Sequence, residues 1–430
     1  MTHRHIALTR PIIASDLEVL RALAYESGAV FERDGYSVFG LGKAETLRLP
    51  LGLRDTGAVE EVAERLSALS RQDPESSPGD PGRDGAVVVG AMPFLPDAPA
   101  ELHVPEVTVV RDETGSYAVV VAERGRHEEV WMRALAAGAA LAGGAAAGSA
   151  PAPDSFRLES ARPHADFLSR VDHAVGEVRS GRLDKVVLAR EVVVEANRPF
   201  RQADLLERLR ALHPSCLTFC VDGFLGATPE LLLRQAGTEI ASDPLAGTAP
   251  RSGDPEADRQ SEQALLSSDK ERAEHRAVVE SIVAGLGPVV EQLDVPSGPD
   301  ILGLRNVSHL RTRIRGSLRR GRRGSRLPSV LDVLALIHPT PAVSGSPVDV
   351  ALEYLAKSEE LERGRYAGPV GWMRAGGDGE FHLGIRSATV EGAVARLVAG
   401  VGIVADSDPA AELRETQLKL QALLAAAVRP

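Results

Sequence analysis

The sequence of 430 residues contains only two cysteines, Cys216 and Cys220. The apolar segment between them predicts a buried strand, and side chains four residues apart on a strand point the same way. Their Cα atoms would then be too far apart for a disulfide bond. Histidines do not cluster near these cysteines, so a zinc site is not indicated either. We expect both cysteines to be core residues.

Long hydrophobic runs are also missing. The first apolar stretch after Met1 is short and is broken by Arg10, which is unlike a signal peptide. The Ala/Gly-rich stretch Ala134–Ala150 is weakly hydrophobic and is followed by prolines, as is typical of a helix end and linker rather than a membrane span. We therefore predict no membrane association and a cytoplasmic location.

An excess of positive charge is missing as well. The 60 acidic residues outnumber the 49 Lys and Arg residues, and the formal net charge is −11. Such a chain is not expected to offer a broad surface to nucleic acid or to an anionic membrane. The hydrophobic content of 43% is that of an ordinary globular protein with a substantial core. These properties favour a small molecule as the ligand.

The apolar patterning changes at about residue 155. In residues 1–155 short β-branched runs alternate with polar loops, whereas in residues 156–430 longer strand patterns are interleaved with amphipathic helices. The strands expected there are Lys185–Val194, Val307–Ile314, Phe381–Val390 and Arg396–Val404, and the helices are Ala165–Arg179, Ala257–Leu286, Val330–Ile337 and Pro409–Val428. We predict an α+β fold in which residues 1–155 form an N-terminal lobe contributing to the sheet layers and residues 156–430 form the catalytic region.

The last predicted helix carries the most informative charges. Asp408 and Pro409 suit its N-cap and first helical position. Glu412, Glu415 and Lys419 follow at spacings of three and four residues, so they share one face. A solvated ladder of ion pairs would have the same spacing and is the alternative to a functional face.

A second carboxylate pair, Glu271 and Glu274, lies three residues apart in the predicted helix Ala257–Leu286. Neighbouring carboxylates repel each other unless a cation offsets their charge, and oxygen ligands of this kind suit Mg²⁺. The alternative is an ordinary ion pair between Lys270 and Glu274, which are four residues apart.

Two more charged residues lie next to apolar segments. Lys185 begins an almost wholly apolar strand and Glu230 precedes three leucines, so burial of either charge would be costly without a partner. Turns around Gly247 and at Gly400-Val401-Gly402 would let backbone amides approach an anion. The second turn is too short for a dinucleotide-binding fingerprint.

Taken in order, these segments resemble the chorismate-utilising enzymes, the family of isochorismate, salicylate, anthranilate and aminodeoxychorismate synthases. The resemblance covers about Phe167 to Leu424. The matching segments are Lys185–Arg190, Gly226–Leu231, Pro244–Thr248, Glu274-His275, His309–Thr312, His338–Val343, Tyr366–Trp372, Gly384–Ala388 and the final helix. The resemblance implies one large α+β unit in which two β-sheets face each other, helices pack outside them, and the active site lies between them.

The resemblance also implies an activity. Family members that use ammonia typically carry Gln where this chain has Lys185, and aminodeoxychorismate synthases carry a covalently acting Lys where it has Ala246. Water is therefore the expected nucleophile, chorismate the expected substrate and isochorismate the expected product. Ala342 also favours isochorismate, whereas Tyr366 is shared with the salicylate-forming enzymes, which are the alternative.

Other family activities are less favoured by this pattern. Anthranilate formation would need ammonia, and a non-catalytic relative would not need the full set of acid, base and metal ligands. We expect no glutamine amidotransferase partner and a monomer. The product would supply the synthesis of a siderophore, of menaquinone or of another secondary metabolite.

By resemblance, Lys185 is the general base that activates water for attack at C2 of chorismate, and Glu230 is the acid that protonates the departing C4 hydroxyl. Arg386 and Tyr366 would bind the enolpyruvyl carboxylate, and His309 would line the ring. The full set expected to contact the substrate is Gly247, Thr248, His309, Ala342, Tyr366, Arg386, Gly400, Gly402 and Lys419.

The resemblance assigns the acidic residues of the two helices to a metal. Glu274 and Glu415 would bind Mg²⁺, the one expected cofactor. Glu271 and Glu412, one turn earlier on their helices, would form hydrogen bonds with the metal's water ligands.

Overall fold

The computed structural model describes residues 5–70, 85–144, 151–320 and 326–428. The helices in these ranges are α1 (Ala14–Ser27), α2 (Thr56–Ser70), α3 (His127–Gly144), α4 (His164–Arg179), α5 (Gln202–Leu212), α6 (Pro255–Ser267), α7 (Asp269–Leu286), α8 (Val330–Ile337), α9 (Val348–Ser358) and α10 (Pro409–Val428), with a short 3-10 helix at Gly52–Arg54. None of these described helices is long and apolar enough to cross a membrane.

The strands of the described residues belong to both halves of the chain. Those before residue 155 are β1 (His5–Pro11), β2 (Ala29–Arg33), β3 (Tyr36–Leu41), β4 (Glu45–Leu49), β5 (Val87–Ala91), β6 (Ala100–Val104), β7 (Val107–Asp112) and β8 (Gly115–Glu123). Those after it are β9 (Phe156–Ser160), β10 (Lys185–Ala196), β11 (Leu217–Val221), β12 (Phe224–Thr228), β13 (Leu231–Ala236), β14 (Glu239–Asp243), β15 (Leu245–Pro250), β16 (Val290–Asp294), β17 (Asp300–Gly303), β18 (Val307–Arg311), β19 (Ile314–Leu318), β20 (Gly345–Ser346), β21 (Pro369–Arg374), β22 (Gly379–Leu383), β23 (Ser387–Glu391) and β24 (Val394–Ile403).

These strands form two large antiparallel sheets and one small one. The twelve-stranded sheet has the order β1-β8-β7-β3-β2-β11-β12-β23-β24-β10-β20, and β9 also pairs with β10. The nine-stranded sheet has the order β16-β19-β14-β13-β22-β21-β5-β6-β4, and the third sheet is β15-β18-β17. Strands from both sides of residue 155 are neighbours in each large sheet, because β2 pairs with β11 and β5 pairs with β21. The division of the chain at that residue stays a prediction.

One cluster of buried apolar side chains joins the two large sheets. It contains Val38 and Val186 from the twelve-stranded sheet and Val88 and Phe381 from the nine-stranded sheet. The sheets therefore face each other, which confirms the predicted α+β arrangement. Helices α2 and α8 contribute to this shared core, and α1, α3, α5 and α10 cover the opposite face of the twelve-stranded sheet.

Several predicted elements occur at the expected positions. Strands β10 and β24 and helices α4, α8 and α10 begin and end within two residues of the predicted bounds. Cys216 and Cys220 are both buried and free, as expected for core residues. Helix α3 accounts for the first part of Ala134–Ala150, and residues 145–150 lie outside the described residues.

The predicted helix Ala257–Leu286 is wrong, because the chain forms two helices, α6 and α7, that meet at Ser268. The backbone of Ser268 is extended, with ψ of 114°, and its Oγ accepts a hydrogen bond from the N–H of Glu271. A serine in this conformation ends one helix and caps the next.

Two predicted strands are also divided. Phe381–Val390 consists of β22, in the nine-stranded sheet, and β23, in the twelve-stranded sheet. Val307–Ile314 consists of β18, in the three-stranded sheet, and the first residue of β19, in the nine-stranded sheet. The chain passes from one sheet to another at both places. Arg386 lies at the first crossing and His309 lies on β18, shortly before the second.

Candidate active site

A cavity of about 150 Å³ lies where β10, β24, β15 and β18 meet α7 and α10. Its lining includes every site residue expected from the sequence, namely Lys185, Glu230, Gly247, Thr248, Glu271, Glu274, His309, Ala342, Tyr366, Arg386, Gly400, Gly402, Glu412, Glu415 and Lys419. The fold thus brings together residues from Lys185 to Lys419 around one space. The role of each residue is a separate question.

Lys185 is the first residue of β10 and is 6% exposed. Its Nζ donates a hydrogen bond to Oε1 of Glu274 on α7 at 2.6 Å, so the buried ammonium has a charged partner. Gly402 lies beside this side chain on β24, and a Cβ at that position would be 2.5 Å from Cε of Lys185. A larger residue at 402 would therefore displace the lysine side chain.

Glu230 lies between β12 and β13 and is 4% exposed. Burial raises the pKa of its carboxyl group to about 8, against the smaller effects of the Leu245 N–H and the Lys185 charge, which lower it. The Leu245 N–H donates to Oε1 of Glu230 over a long distance of 3.4 Å. Glu230 is therefore mainly protonated at neutral pH and can act as a proton donor.

Four carboxylates from α7 and α10 line the cavity. Burial raises the pKa of Glu271, and the nearby charge of Glu274 raises it further. Burial also raises the pKa of Glu412, to which the charge of Glu415 contributes. The raised pKa values of Glu271 and Glu412 mean that nearby positive charge does not fully offset their burial and repulsion. The pKa of Glu274 is lowered instead, because the charge of Lys185 and its hydrogen bond outweigh the effect of burial.

This set of donors suits a divalent cation that prefers oxygen ligands. Two lysines already contact the proposed ligands: Lys185 binds Glu274, and Nζ of Lys419 lies 2.8 Å from Oε1 of Glu415. In the part of the chain that the structure describes, no group of three acidic, histidine or cysteine side chains is arranged to hold a metal ion. The carboxylates fit Mg²⁺ by their chemistry, and the assignment of ligands stays a prediction.

His309 on β18 connects Gly247, at an irregularity of β15, to Arg386. Its Nδ1 lies 3.0 Å from the carbonyl oxygen of Gly247, and its Nε2 lies 2.7 Å from Nη2 of Arg386. A carbonyl only accepts and a guanidinium only donates, so Nδ1 carries the hydrogen and Nε2 accepts. Burial, helped by the charges of Arg386 and Lys419, lowers the pKa of His309 to about 3. The ring is therefore neutral and orients the guanidinium.

Arg386 itself occupies the crossing between β22 and β23. Its φ of +50° lies in the left-handed region, which is unfavourable for a residue with a side chain. Burial lowers the pKa of its guanidinium, although arginine stays charged at neutral pH. A buried guanidinium that lines a cavity, held by a neutral histidine, is suited to bind a carboxylate.

Lys419, Gly400 and Tyr366 form another part of the wall. The turn predicted at Gly400-Val401-Gly402 is wrong, because these residues lie within β24 and pair with β10. Nζ of Lys419 donates to the carbonyl oxygen of Gly400 at 3.0 Å. A Cβ on Gly400 would lie 3.0 Å from the hydroxyl of Tyr366, so glycine leaves room for that hydroxyl. Burial raises the pKa of Tyr366, which keeps the hydroxyl protonated and able to donate.

The sequence prediction missed several residues of the lining. Lys270 was considered only as an ion-pair partner of Glu274, but the ion pair that the structure shows for Glu274 is with Lys185. The rest of the apolar lining was not predicted because it has no chemical signature, and it comprises Val187, Pro229, Leu245, Val343, Ala367, Ile385, Val398 and Ala399. The position of Lys270 directly before Glu271 was the available signal for that residue.

A buried lysine, a protonated carboxyl group and a buried guanidinium around one cavity are suited to acid–base chemistry on a small anion. Comparison with known proteins shows the family to which the chain belongs. The model of the family described as chorismate binding enzyme matches residues 13–428. This chain belongs to that family.

Named relatives include two bacterial proteins. The salicylate biosynthesis isochorismate synthase of Pseudomonas aeruginosa is 41% identical over 271 residues, which are 61% of this chain and 55% of that protein. The chain thus matches just over half the length of that relative. The isochorismate synthase DhbC of Bacillus subtilis is 33% identical over 381 residues, 86% of each chain. The solved structure of MenF, the menaquinone-specific isochorismate synthase of Escherichia coli, matches this fold with a TM-score of 0.78 and 25% sequence identity. The match covers 99% of this chain and 95% of the MenF chain.

Proposed function

We propose that this chain converts chorismate to isochorismate by adding water at C2 and releasing the C4 hydroxyl as water. The observation that carries this proposal is the shared cavity of Lys185, the candidate base, and Glu230, a carboxyl group that burial keeps protonated. A proton acceptor and a proton donor of this kind are what the exchange of one hydroxyl for another requires. The names of the relatives with 33% and 41% identity agree with this activity.

Lys185 acts as the base in this proposal. In its amine form Lys185 removes a proton from water as the water oxygen bonds to C2, and it so becomes the ammonium that is paired with Glu274. Glu274 holds the side chain of Lys185 at 2.6 Å, and Gly402 leaves the space that this position needs. The same contacts keep the nitrogen on the lining of the cavity, where the attacking water must be.

Glu230 gives its proton to the C4 oxygen as the ring double bonds shift and the C4–O bond breaks. The proton that Lys185 took from water then returns to Glu230 before the next turnover. Its pKa of about 8 means that most molecules carry this proton at pH 7. The water that enters and the water that leaves balance each other, so substrate and product are isomers.

Arg386 orients the substrate by binding one of its carboxylates. Its guanidinium is fixed through Nη2 by the neutral ring of His309 at 2.7 Å. The Tyr366 hydroxyl is the second donor proposed for the same carboxylate. Both side chains are buried by the fold, so water competes little for that carboxylate.

We propose Mg²⁺ as the cofactor, with Glu274 and Glu415 as ligands and Glu271 and Glu412 binding its water ligands. When bound, Mg²⁺ supplies positive charge that holds the ring carboxylate of the substrate and offsets the four glutamates. This assignment rests on the presence of all four carboxylates on the cavity lining and on the raised pKa values of Glu271 and Glu412.

The test is incubation of the purified protein with chorismate and Mg²⁺, without ammonia or an amidotransferase, followed by chromatography of the products. We expect isochorismate from the parent protein and none from Lys185→Gln, which should still bind chorismate. Anthranilate, salicylate as the main product, or unchanged turnover by the Lys185→Gln variant would each contradict the proposal.

A further inference from the structure

A buried ion pair close to the cavity is not explained by the proposed chemistry. Glu359 follows α9 and Arg363 lies four residues later, and their side chains are 4% and 3% exposed. Nη2 and Nε of Arg363 donate to the two carboxylate oxygens of Glu359, each at 2.6 Å. Burying an ion pair costs about as much as its attraction returns, so stability alone is a weak reason for its presence.

The pair lies at a gap in the sheet beside β10. One edge of β10 is paired with β24 along residues 186–195, but on the other edge β20 covers only Lys185 and Val186, and β9 covers only residues 192–196. Within the described residues, no strand pairs with residues 187–191 on that edge. Their backbone groups on that edge need other partners, because unpaired buried backbone groups are costly.

The ion pair supplies two of these partners. Nη2 of Arg363 donates to the carbonyl oxygen of Val187 at 2.6 Å. Oε1 of Glu359 accepts from the N–H of Ala189 at 2.8 Å. The pair thus takes the place of a neighbouring strand directly after Lys185.

Arg363 also contacts two other parts of the cavity wall, one through its guanidinium and one through its backbone. Its Nη1 donates to the carbonyl oxygen of Val343 at 2.7 Å, and Val343 lines the cavity next to Ala342. The carbonyl oxygen of Arg363 accepts from the N–H of Tyr366 at 2.9 Å. The centroid of the Phe94 ring lies 4.2 Å from the guanidinium carbon, so this ring covers one face of the guanidinium.

From these contacts we infer that Glu359 and Arg363 are positioning residues, which fix Lys185, the turn of Ala342 and Val343, and Tyr366 relative to one another. The inference rests on the proposed function. Neither residue lines the cavity, so both act through the backbone of residues that do. Catalysis depends on such placement, since a displacement of about 1 Å can cost roughly 100-fold in rate.

The conservative variants Arg363→Lys and Glu359→Gln test this inference. A lysine keeps the charge but cannot bind two carbonyls and both carboxylate oxygens at once, and a glutamine keeps one acceptor but loses the charge. We expect kcat to fall about 10- to 100-fold in each variant, while the KM for chorismate changes by less than about threefold. The matched control is Glu360→Gln, at the position next to Glu359. It removes only an exposed ion pair with Arg162 and should leave kcat and KM unchanged.

The parent protein is assayed first, because a parent that does not form isochorismate refutes the proposed function rather than this inference. With an active parent, variants that lose thermal stability but keep kcat per folded molecule would overturn the positioning role. If neither variant folds, the inference is tested by the rate of hydrogen exchange at the Ala189 amide of the parent protein. Slow exchange of the Ala189 amide, comparable with that of its strand-paired neighbours in β10, supports the inference, and fast exchange overturns it.

Discussion

Gly402 and Lys185 are packed so closely that a single methyl group at 402 would be 2.5 Å from Cε and 3.1 Å from Nζ of the lysine. The two residues lie on neighbouring strands, β24 and β10. The atoms that a Cβ would meet belong to the flexible end of a side chain and not to the backbone. The fold can therefore accept a substitution at 402 if the side chain of Lys185 moves. Because Lys185 is the proposed base, we expect this movement to lower the catalytic rate.

We expect Gly402→Ala to reduce kcat by about 100-fold, because it displaces the proposed base, with little loss of thermal stability. The measurement is isochorismate formation together with the melting temperature. Gly176→Ala on α4 is the matched control, since no atom lies within 4 Å of a Cβ there. That control should keep full activity and gain up to about 1 kcal/mol of stability from helix propensity. Full activity of Gly402→Ala would contradict the placement of Lys185.

The second prediction concerns pH. Glu230 must be protonated to act as an acid, so activity should fall as the pH rises through about 8, the pKa to which burial raises its carboxyl group. The measurement is the dependence of kcat/KM on pH, because this constant reports the pKa of the group in the free enzyme. Glu230→Gln should lose most activity and should not show this decrease in whatever activity it keeps. A rate that stays constant up to pH 10 would contradict the role of Glu230.

Stability should follow the same group with a defined sign. Because the pKa of Glu230 is higher in the folded protein than its ordinary value of 4.5, the folded state binds an extra proton between about pH 4.5 and about pH 8. The contribution of Glu230 to the free energy of unfolding is therefore most favourable to the folded state at low pH. It decreases as the pH rises through that window. The melting temperature of the parent should therefore decrease relative to that of Glu230→Gln as the pH rises from about 4.5 to about 8.

The third prediction concerns the metal. Removal of divalent cations with a chelator should abolish turnover, and added Mg²⁺ should restore it. Glu415→Gln should lose Mg²⁺ binding together with activity, because it removes a proposed ligand. Glu412→Gln should weaken metal affinity or activity by about 10- to 100-fold, as expected of a residue that binds the water ligands of a metal. Activity that survives chelation would contradict the proposal that Mg²⁺ is the cofactor.

The fourth prediction concerns the product. Ala342 lies on the cavity lining. The family resemblance implies that salicylate-forming enzymes tend to carry Thr at this position, so we take Ala342 to favour isochorismate. Ala342→Thr should therefore increase the release of pyruvate during turnover of chorismate, measured with a coupled lactate dehydrogenase assay. If the variant releases no more pyruvate than the parent, Ala342 does not set the product.

Much of the site could be predicted because its residues belong to short segments with recognisable spacing. Glu412, Glu415 and Lys419 share a helix face whatever the tertiary structure is, and Asp408 caps that helix as expected, with Oδ2 accepting from the N–H of Ala411. The location of Lys185 at the start of β10 followed from its apolar pattern. Local rules sufficed in these cases.

Contacts between distant segments could not be predicted in the same way. Glu274 pairs with Lys185, 89 residues away, rather than with Lys270 on its own helix, because the tertiary fold decides which cation is buried beside it. The three-stranded sheet joins β15 to β18 across the long helical segment, which no periodicity indicates. The helix break at Ser268 had a local signal, since Ser268 and Glu271 have the spacing of a capping box, but the apolar pattern continued through it.

The claim that water is the nucleophile is tested most directly by turnover in ¹⁸O-labelled water. The purified protein is incubated with unlabelled chorismate and Mg²⁺, and the product is analysed by mass spectrometry and by NMR for the position of the label. The account predicts isochorismate with one ¹⁸O atom at C2 and loss of the original C4 oxygen. Isochorismate without the label, or a product that carries nitrogen in place of the hydroxyl, would contradict it.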